Sequence, residues 1–191
     1  MTQPCPDIIA RSGGVILRPA RQEDLPRVDD IIIECYTPIH ESFLAIVGED
    51  VYRVLRRGRD PDWKADKLQR IQSTFGEETG HMWVLEADGA VFGFVTFQAF
   101  AEQSRLWIEE NGVLPERRGQ GWATFMLRHV LDYARELGIR FASVEVDLDD
   151  AHIAARRAYQ AVGFDRHHHI AIYHQDLARR NPGSTADDQD P

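Results

Sequence analysis

Cysteine is nearly absent from this chain, and its two residues, Cys5 and Cys35, are too few to staple a small fold. A core must then come from packing, and both thiols are expected to be free in a reducing cytoplasm. Long apolar runs are absent too. No stretch approaches the roughly 20 residues that span a bilayer, and Met1 to Gly14 lack a basic region followed by an apolar run. Neither a membrane segment nor a signal peptide is expected. Positive charge is in the minority: 22 Lys and Arg against 31 Asp and Glu give a net charge of −9. No helix carries a basic stripe, which argues against nucleic acid as a partner. The acidic balance suits a cationic substrate, although an acidic surface also serves solubility alone.

What is present is ordinary for a globular chain: 191 residues, 43% hydrophobic and 28% charged, enough for one domain with a real core. Residues 1–13 are expected to be flexible, 14–178 to form the domain, and 179–191 to be a disordered acidic tail. Val15 to Arg18 reads as a first strand. Arg21 to Cys35 has helical spacing of apolar positions, and Pro38 is expected to interrupt it. Two more helices are expected near Glu41 to Arg57 and Asp62 to Phe75, separated by Gly58 to Pro61 with Asp62 as N-cap. His81–Ala87 and Ala90–Phe100 read as a hairpin through Asp88-Gly89, followed by a strand over Arg105–Val113. A helix is expected over Thr124–Leu137 and closed by Gly138. Then come a buried strand over Phe141–Val146, a helix over Ala151–Val162, and a last strand or hairpin over Phe164–Asp176.

Chemistry concentrates after the strand Leu106-Trp107-Ile108-Glu109-Glu110-Asn111-Gly112-Val113. The next segment, Val113-Leu114-Pro115-Glu116-Arg117-Arg118-Gly119-Gln120-Gly121-Trp122-Ala123, is a basic, glycine-punctuated turn that runs into a helix. Glycines let the main chain approach an anion, the first helical N–H groups are unpaired, and the helix dipole favours negative charge there. The turn is not a P-loop, since no Gly-Lys-Ser/Thr follows, and it lacks the third glycine of a dinucleotide fingerprint. Downstream, His152-Ile153-Ala154-Ala155-Arg156-Arg157-Ala158-Tyr159 leads to Gly163-Phe164.

Together these segments resemble the GCN5-related N-acetyltransferase (GNAT) superfamily across most of the chain. The resemblance implies a mixed α/β fold, with a mostly antiparallel sheet, one splayed parallel strand pair and helices on both faces. It implies transfer of an acetyl group from acetyl-CoA, with no metal, to a primary amine of a small molecule in a direct ternary complex. A peptide or protein amine, or a non-catalytic acyl-CoA sensor of the same fold, stands as the alternative. Dimers are frequent in the family, which leaves a homodimer open.

The resemblance also places residues. Backbone N–H groups of Arg118, Gly119, Gln120, Gly121, Trp122 and Ala123 would cradle the pyrophosphate of coenzyme A. Gly112 suits a bulge in the preceding strand, and the Val113 N–H would face the thioester carbonyl. Glu109 or Glu110 would take a proton from the substrate ammonium; alternation puts them on opposite faces, so without a bulge at most one points into the cleft. Asn111 would orient acceptor or water. Tyr159 would protonate the departing thiolate, a reasonable task for a phenol of pKa about 10. His152 stands where the family usually has Asn and would donate to the pantetheine arm. His167, His168, His169 and His174 are read as exposed strand histidines, because a strand cannot converge the triplet on one ion. Trp63, Phe97, Phe100 and Trp107 are read as core or pocket lining.

Overall fold

The computed structural model describes residues 7–55, 63–77 and 79–178. The Cys5 thiol, the 58–62 break with its Asp62 cap, and the tail from 179 onward lie outside the described residues.

The strands β1 (Ala10–Ser12), β2 (Val15–Pro19), β3 (Gly80–Ala87), β4 (Ala90–Phe100), β5 (Arg105–Val113) and β6 (Phe141–Val144) form one sheet in chain order. Every neighbouring pair is antiparallel except β5–β6. A parallel pair needs a crossover, and α4 (Trp122–Glu136) supplies it. The β3–β4 hairpin turns through Asp88 and Gly89 at φ 51° and 75°, the left-handed pair that such a two-residue turn demands. The same device corrects the expectation for the N-terminus. Gly13 and Gly14, at φ 52° and 82°, fold residues 10–12 back onto β2, so this part of the stretch is an edge strand.

Apolar residues spaced three and four apart give α1 (Leu25–Val47) a buried face of Val28, Ile31, Ile32, Cys35 and Tyr36. Pro38 does not interrupt it. Proline removes a donor to the carbonyl four residues earlier, and Glu34 and Pro38 are both exposed, so that carbonyl faces water. Residues 41–47 accordingly belong to α1, and Gly48 at φ 82° ends it before α2 (Glu49–Leu55). Buried Arg18 anchors the start of α1: it donates to Asp24 at 2.6 and 2.9 Å and to Glu86 at 2.7 Å. Next come α3 (Trp63–Gly76) and, after β6, α5 (Ile153–Ala161).

Helices cover both faces of the sheet. On one side α1 brings Cys35 against Gly112 and Phe94, with α3 beside it. On the other, α4 buries Met126, Leu127, Val130 and Ala134 and sets Tyr133 edge-on to Trp83 and Phe97, while α5 packs on α4. Two further expectations are corrected. The strand over 141–146 ends at Val144 and is a half-exposed edge rather than a buried strand, with Phe141 55% exposed. The last strand does not form. Residues 165–178 are exposed and join no strand ladder among the described residues, and alternating residues become a strand only on a ladder partner.

Candidate active site

The two parallel strands part company halfway. Pairing of β5 with β6 runs from Arg105–Phe141 to Ile108–Val144 and stops, while β5 continues alongside β4 to Val113. A cavity of about 360 Å³ opens at this split, lined by Trp107, Glu109 and Glu110 of β5, Glu145 and Asp147 after β6, and His152.

A register shift shapes its floor. Thr96 pairs with Glu110 but Phe97 pairs with Ile108, so Glu109 is the extra residue of a bulge. The bulge is therefore not at Gly112. That glycine answers close packing instead: a Cβ there would stand 2.9 Å from the Phe94 ring and 3.3 Å from Cys35 Sγ. Moving the bulge to Glu109 breaks strict alternation, and both glutamates border the same cavity.

Their surroundings differ. Glu109 accepts from Thr74 at 2.8 Å and Gln98 at 2.9 Å, both neutral donors. Glu110 accepts from Lys67 Nζ at 2.5 Å and from Arg70 on one oxygen, and from the Tyr36 hydroxyl at 2.6 Å on the other. Burial, with the Glu110 charge beside it, holds the Tyr36 phenol well above its ordinary range, so Tyr36 remains a donor.

One residue further, Asn111 Nδ2 donates to the Tyr159 oxygen at 2.8 Å. Because that oxygen accepts from Asn111, the phenolic hydrogen is left to point elsewhere. Burial raises the Tyr159 pKa, the Asn111 hydrogen bond pulls it partly back, and the Glu110 charge pushes it up again. The net effect keeps Tyr159 protonated at neutral pH.

The ladder places a further donor. Leu114 N–H donates to Phe92 O at 3.0 Å, and the alternation of an antiparallel pair then turns the N–H groups of Asn111 and Val113 away from β4, toward the side that β6 has left. The Val113 carbonyl on that edge accepts from Arg118 Nε at 3.0 Å and from Cys35 Sγ at 3.4 Å.

Beyond it the chain makes the turn expected from the sequence. Gly119 and Gly121 take φ 74° and 84°, which a residue with a Cβ adopts only under strain. Arg118 N–H is tied to Pro115 O at 3.1 Å, so the array of available donors starts one residue later than expected. From Gly119 to Thr124 no N–H has a backbone acceptor among the described residues, and the first helical bond is Phe125 to Gly121 at 2.9 Å. Six N–H groups without a backbone acceptor at a helix N-terminus fit a pyrophosphate.

His152 closes the other side. Its Nδ1 and the Ser42 hydroxyl both meet Asp149. Burial raises the Asp149 carboxyl, but these two hydrogen bonds outweigh it and leave the group below the usual carboxylate range. An ionised Asp149 can only accept, so Nδ1 carries the proton and, in the neutral ring, Nε2 is an acceptor. Arg156 pins the loop by donating to the carbonyls of Asp147 at 2.9 Å and Asp149 at 2.7 Å.

The structure thus gathers Glu109, Glu110, Asn111, Val113 and Tyr159 around the split, with His152 on its far wall. Sequence reading missed Tyr36, Lys67, Arg70, Thr74 and Asp149. The one signal was Tyr36 itself, an aromatic with a polar tip in register with Val28 and Ile32 on the apolar face of α1. Of the aromatic candidates, Trp107 lines the cavity, Phe97 is core, Trp63 stacks on His40 at 4.0 Å, and Phe100 lies under Arg105. His167, His168, His169 and His174 are exposed but not on a strand, and no group of three or more His, Cys, Asp or Glu among the described residues is arranged to hold a metal.

Comparison with known proteins meets this geometry. The model of the acetyltransferase (GNAT) family matches residues 48–164. Streptothricin acetyltransferase of Streptomyces lavendulae is 37% identical over 78 residues, 41% of this chain and 40% of that protein. N-acetyltransferase 8B of Homo sapiens is 30% identical over 104 residues, 52% of this chain and 45% of that protein. The chain thus spans less than half the length of these relatives. Among solved structures, AAC(6')-Iy in complex with a CoA-containing bisubstrate analogue superposes with TM-score 0.58 at 15% identity, covering 86% of this chain and 99% of the other. The ribosomal-protein-S18-alanine N-acetyltransferase of Escherichia coli does so with TM-score 0.56 at 16% identity, covering 78% and 76%. At these identities the structures speak for the fold.

Proposed function

The chain belongs to the acetyltransferase (GNAT) family, and from that premise we propose that it transfers an acetyl group from acetyl-CoA to a primary amine of a small molecule. The observation that carries the acceptor class is the cavity wall: Glu109, Glu110, Glu145 and Asp147 surround one space of about 360 Å³. Arg70 lines the same space and pairs with Glu110, so the carboxylates still outnumber the cations there and suit a compact cationic acceptor.

The residues present fit acetyl-CoA. The N–H groups of Gly119 to Ala123, with Thr124, would hold its pyrophosphate, and Arg118, already bonded to the Val113 carbonyl, braces the turn against β5. The split between β5 and β6 admits a slender arm, with the His152 ring on one side and the N–H of Val113 as donor on the other. When bound, acetyl-CoA supplies a thioester, an acyl group with a good leaving group.

The protein's own groups do the rest. Glu110, with Glu109 beside it, draws the acceptor ammonium and takes its proton directly or through water, so that a neutral amine attacks. The Val113 N–H stabilises the charge that grows on the carbonyl oxygen. Tyr159 holds its phenolic proton ready for the departing sulfur, with Asn111 fixing the oxygen from behind. Attack is direct, since Cys35, whose thiol burial raises, accepts the role of a core residue and not of a nucleophile.

Calorimetric titration with acetyl-CoA, followed by a panel of small amines, tests this reading. Binding that falls about 10-fold or more in Gly121→Val, where the φ of 84° alone costs a β-branched residue about 1–2 kcal/mol, supports it. No binding to the unaltered chain would overturn it. Binding with no amine acetylated would favour an acyl-CoA sensor, and acetylation of peptides alone would move the acceptor to that class.

A further inference from the structure

Lysine is scarce in this chain. Of 22 basic residues only Lys64 and Lys67 are lysines, and both lie on α3. Lys67 does not point into open solvent: its side chain is 12% exposed, its Nζ is 2.5 Å from Glu110 Oε1, and it sits 4.0 Å above the Tyr36 ring. Glu110 is the carboxylate whose charge reaches Tyr159, and its neighbour Asn111 holds the Tyr159 oxygen. A primary amine of the protein therefore already lies against Glu110, the carboxylate that takes the acceptor's proton in the reading above. Arg70 shares that carboxylate but cannot substitute, because a guanidinium does not deprotonate in proteins.

We infer that Lys67 is a self-acetylation site, modified in cis by the protein's own centre when acetyl-CoA is present and no acceptor amine is. This rests on the acetyl-transfer reading above. In the step, the Lys67 ammonium gives one proton to Glu110, and its nitrogen forms a bond to the acetyl carbon. The carbon–sulfur bond of the thioester breaks, its electron pair stays on sulfur, and Tyr159 gives that sulfur a proton. The second proton of the nitrogen restores Tyr159. The products are N-acetyl-lysine, a free thiol and one proton released from Glu110. Acetylation removes the Lys67 charge and leaves Glu110 with Tyr36 and Arg70 among the described residues.

The test incubates the full chain with acetyl-CoA alone, cleaves it after acidic residues and locates the acetyl group by mass spectrometry, with acetyl-CoA binding measured calorimetrically on the same sample. The expected result is label on Lys67 and not on Lys64, at a rate constant independent of protein concentration and about 10²-fold lower in Tyr159→Phe. Lys67→Arg, which keeps the positive charge, should gain no acetyl group. Acetyl-CoA binding with Lys67 unlabelled would overturn self-acetylation and leave the transferase reading standing. Equal labelling of both lysines, unchanged in Tyr159→Phe, is chemical acylation by the thioester and would also overturn it. Absence of binding would overturn both readings together.

Discussion

The turn over 118–123 and the centre around Glu110 are built on opposite terms. The turn is exposed, and what qualifies it is backbone: two left-handed glycines and a run of N–H groups without acceptors. The centre is half-buried and made of side chains from five elements, namely Tyr36 of α1, Lys67, Arg70 and Thr74 of α3, Gln98 of β4, Glu109 to Asn111 of β5, and Tyr159 of α5. A local device tolerates change in the rest of the fold. A convergent one depends on every element that feeds it, and each of its charges has a partner that is left stranded when the charge is removed.

Substitutions can separate the two. The largest effect is expected from Tyr159→Phe, which removes the phenolic hydroxyl from the centre, both its proton and the oxygen on which Asn111 donates. Under chemistry-limited conditions kcat should drop about 10²-fold or more while the Kd for acetyl-CoA, set at the turn, stays nearly constant. Parallel losses in both would mean that the two regions are not independent.

Glu110→Gln should be felt in stability as well as in rate. It leaves Lys67, 12% exposed, without its carboxylate, and should lower unfolding free energy by about 1–3 kcal/mol in a denaturant titration. Lys67→Met alongside Glu110→Gln should recover part of the loss, since no half-buried ammonium then lacks the Glu110 carboxylate. Gly121→Val, by contrast, should cost acetyl-CoA affinity with a stability change confined to its local strain.

The smallest and most specific effect belongs to Asn111→Ala. Asn111 lowers the Tyr159 pKa against burial, so removing it should raise that pKa further. A general acid is active below its pKa, and the alkaline limb of the kcat profile should therefore move to higher pH. A limb that stays in place would detach Asn111, or Tyr159, from the proton transfer.

These contrasts also explain what could be read in advance. The hairpin at Asp88-Gly89, the buried face of α1, the turn at 118–123 and the Tyr159 helix were legible because each depends on residues close in sequence. The errors fall where a distant partner decides. Pro38 sits inside α1 because its side of the helix faces water. The bulge belongs to Glu109 because β4 sets the register, and Gly112 is needed because Phe94 and Cys35 crowd it. The 165–178 segment has a strand's alternation but no ladder to join.

By itself, then, the sequence determined most of the elements, the anion-binding turn and the family to which they point, since backbone propensity, glycine freedom and side-chain periodicity act over a few residues. Only the tertiary structure decided that both glutamates face one cavity, that Glu110 is shared by Tyr36, Lys67 and Arg70, and that Ser42 and His152 meet on Asp149. Those facts arise from hydrogen bonds and charges joined across up to 110 positions, as between Ser42 and His152 through Asp149, and short-range patterns carry no record of such distances.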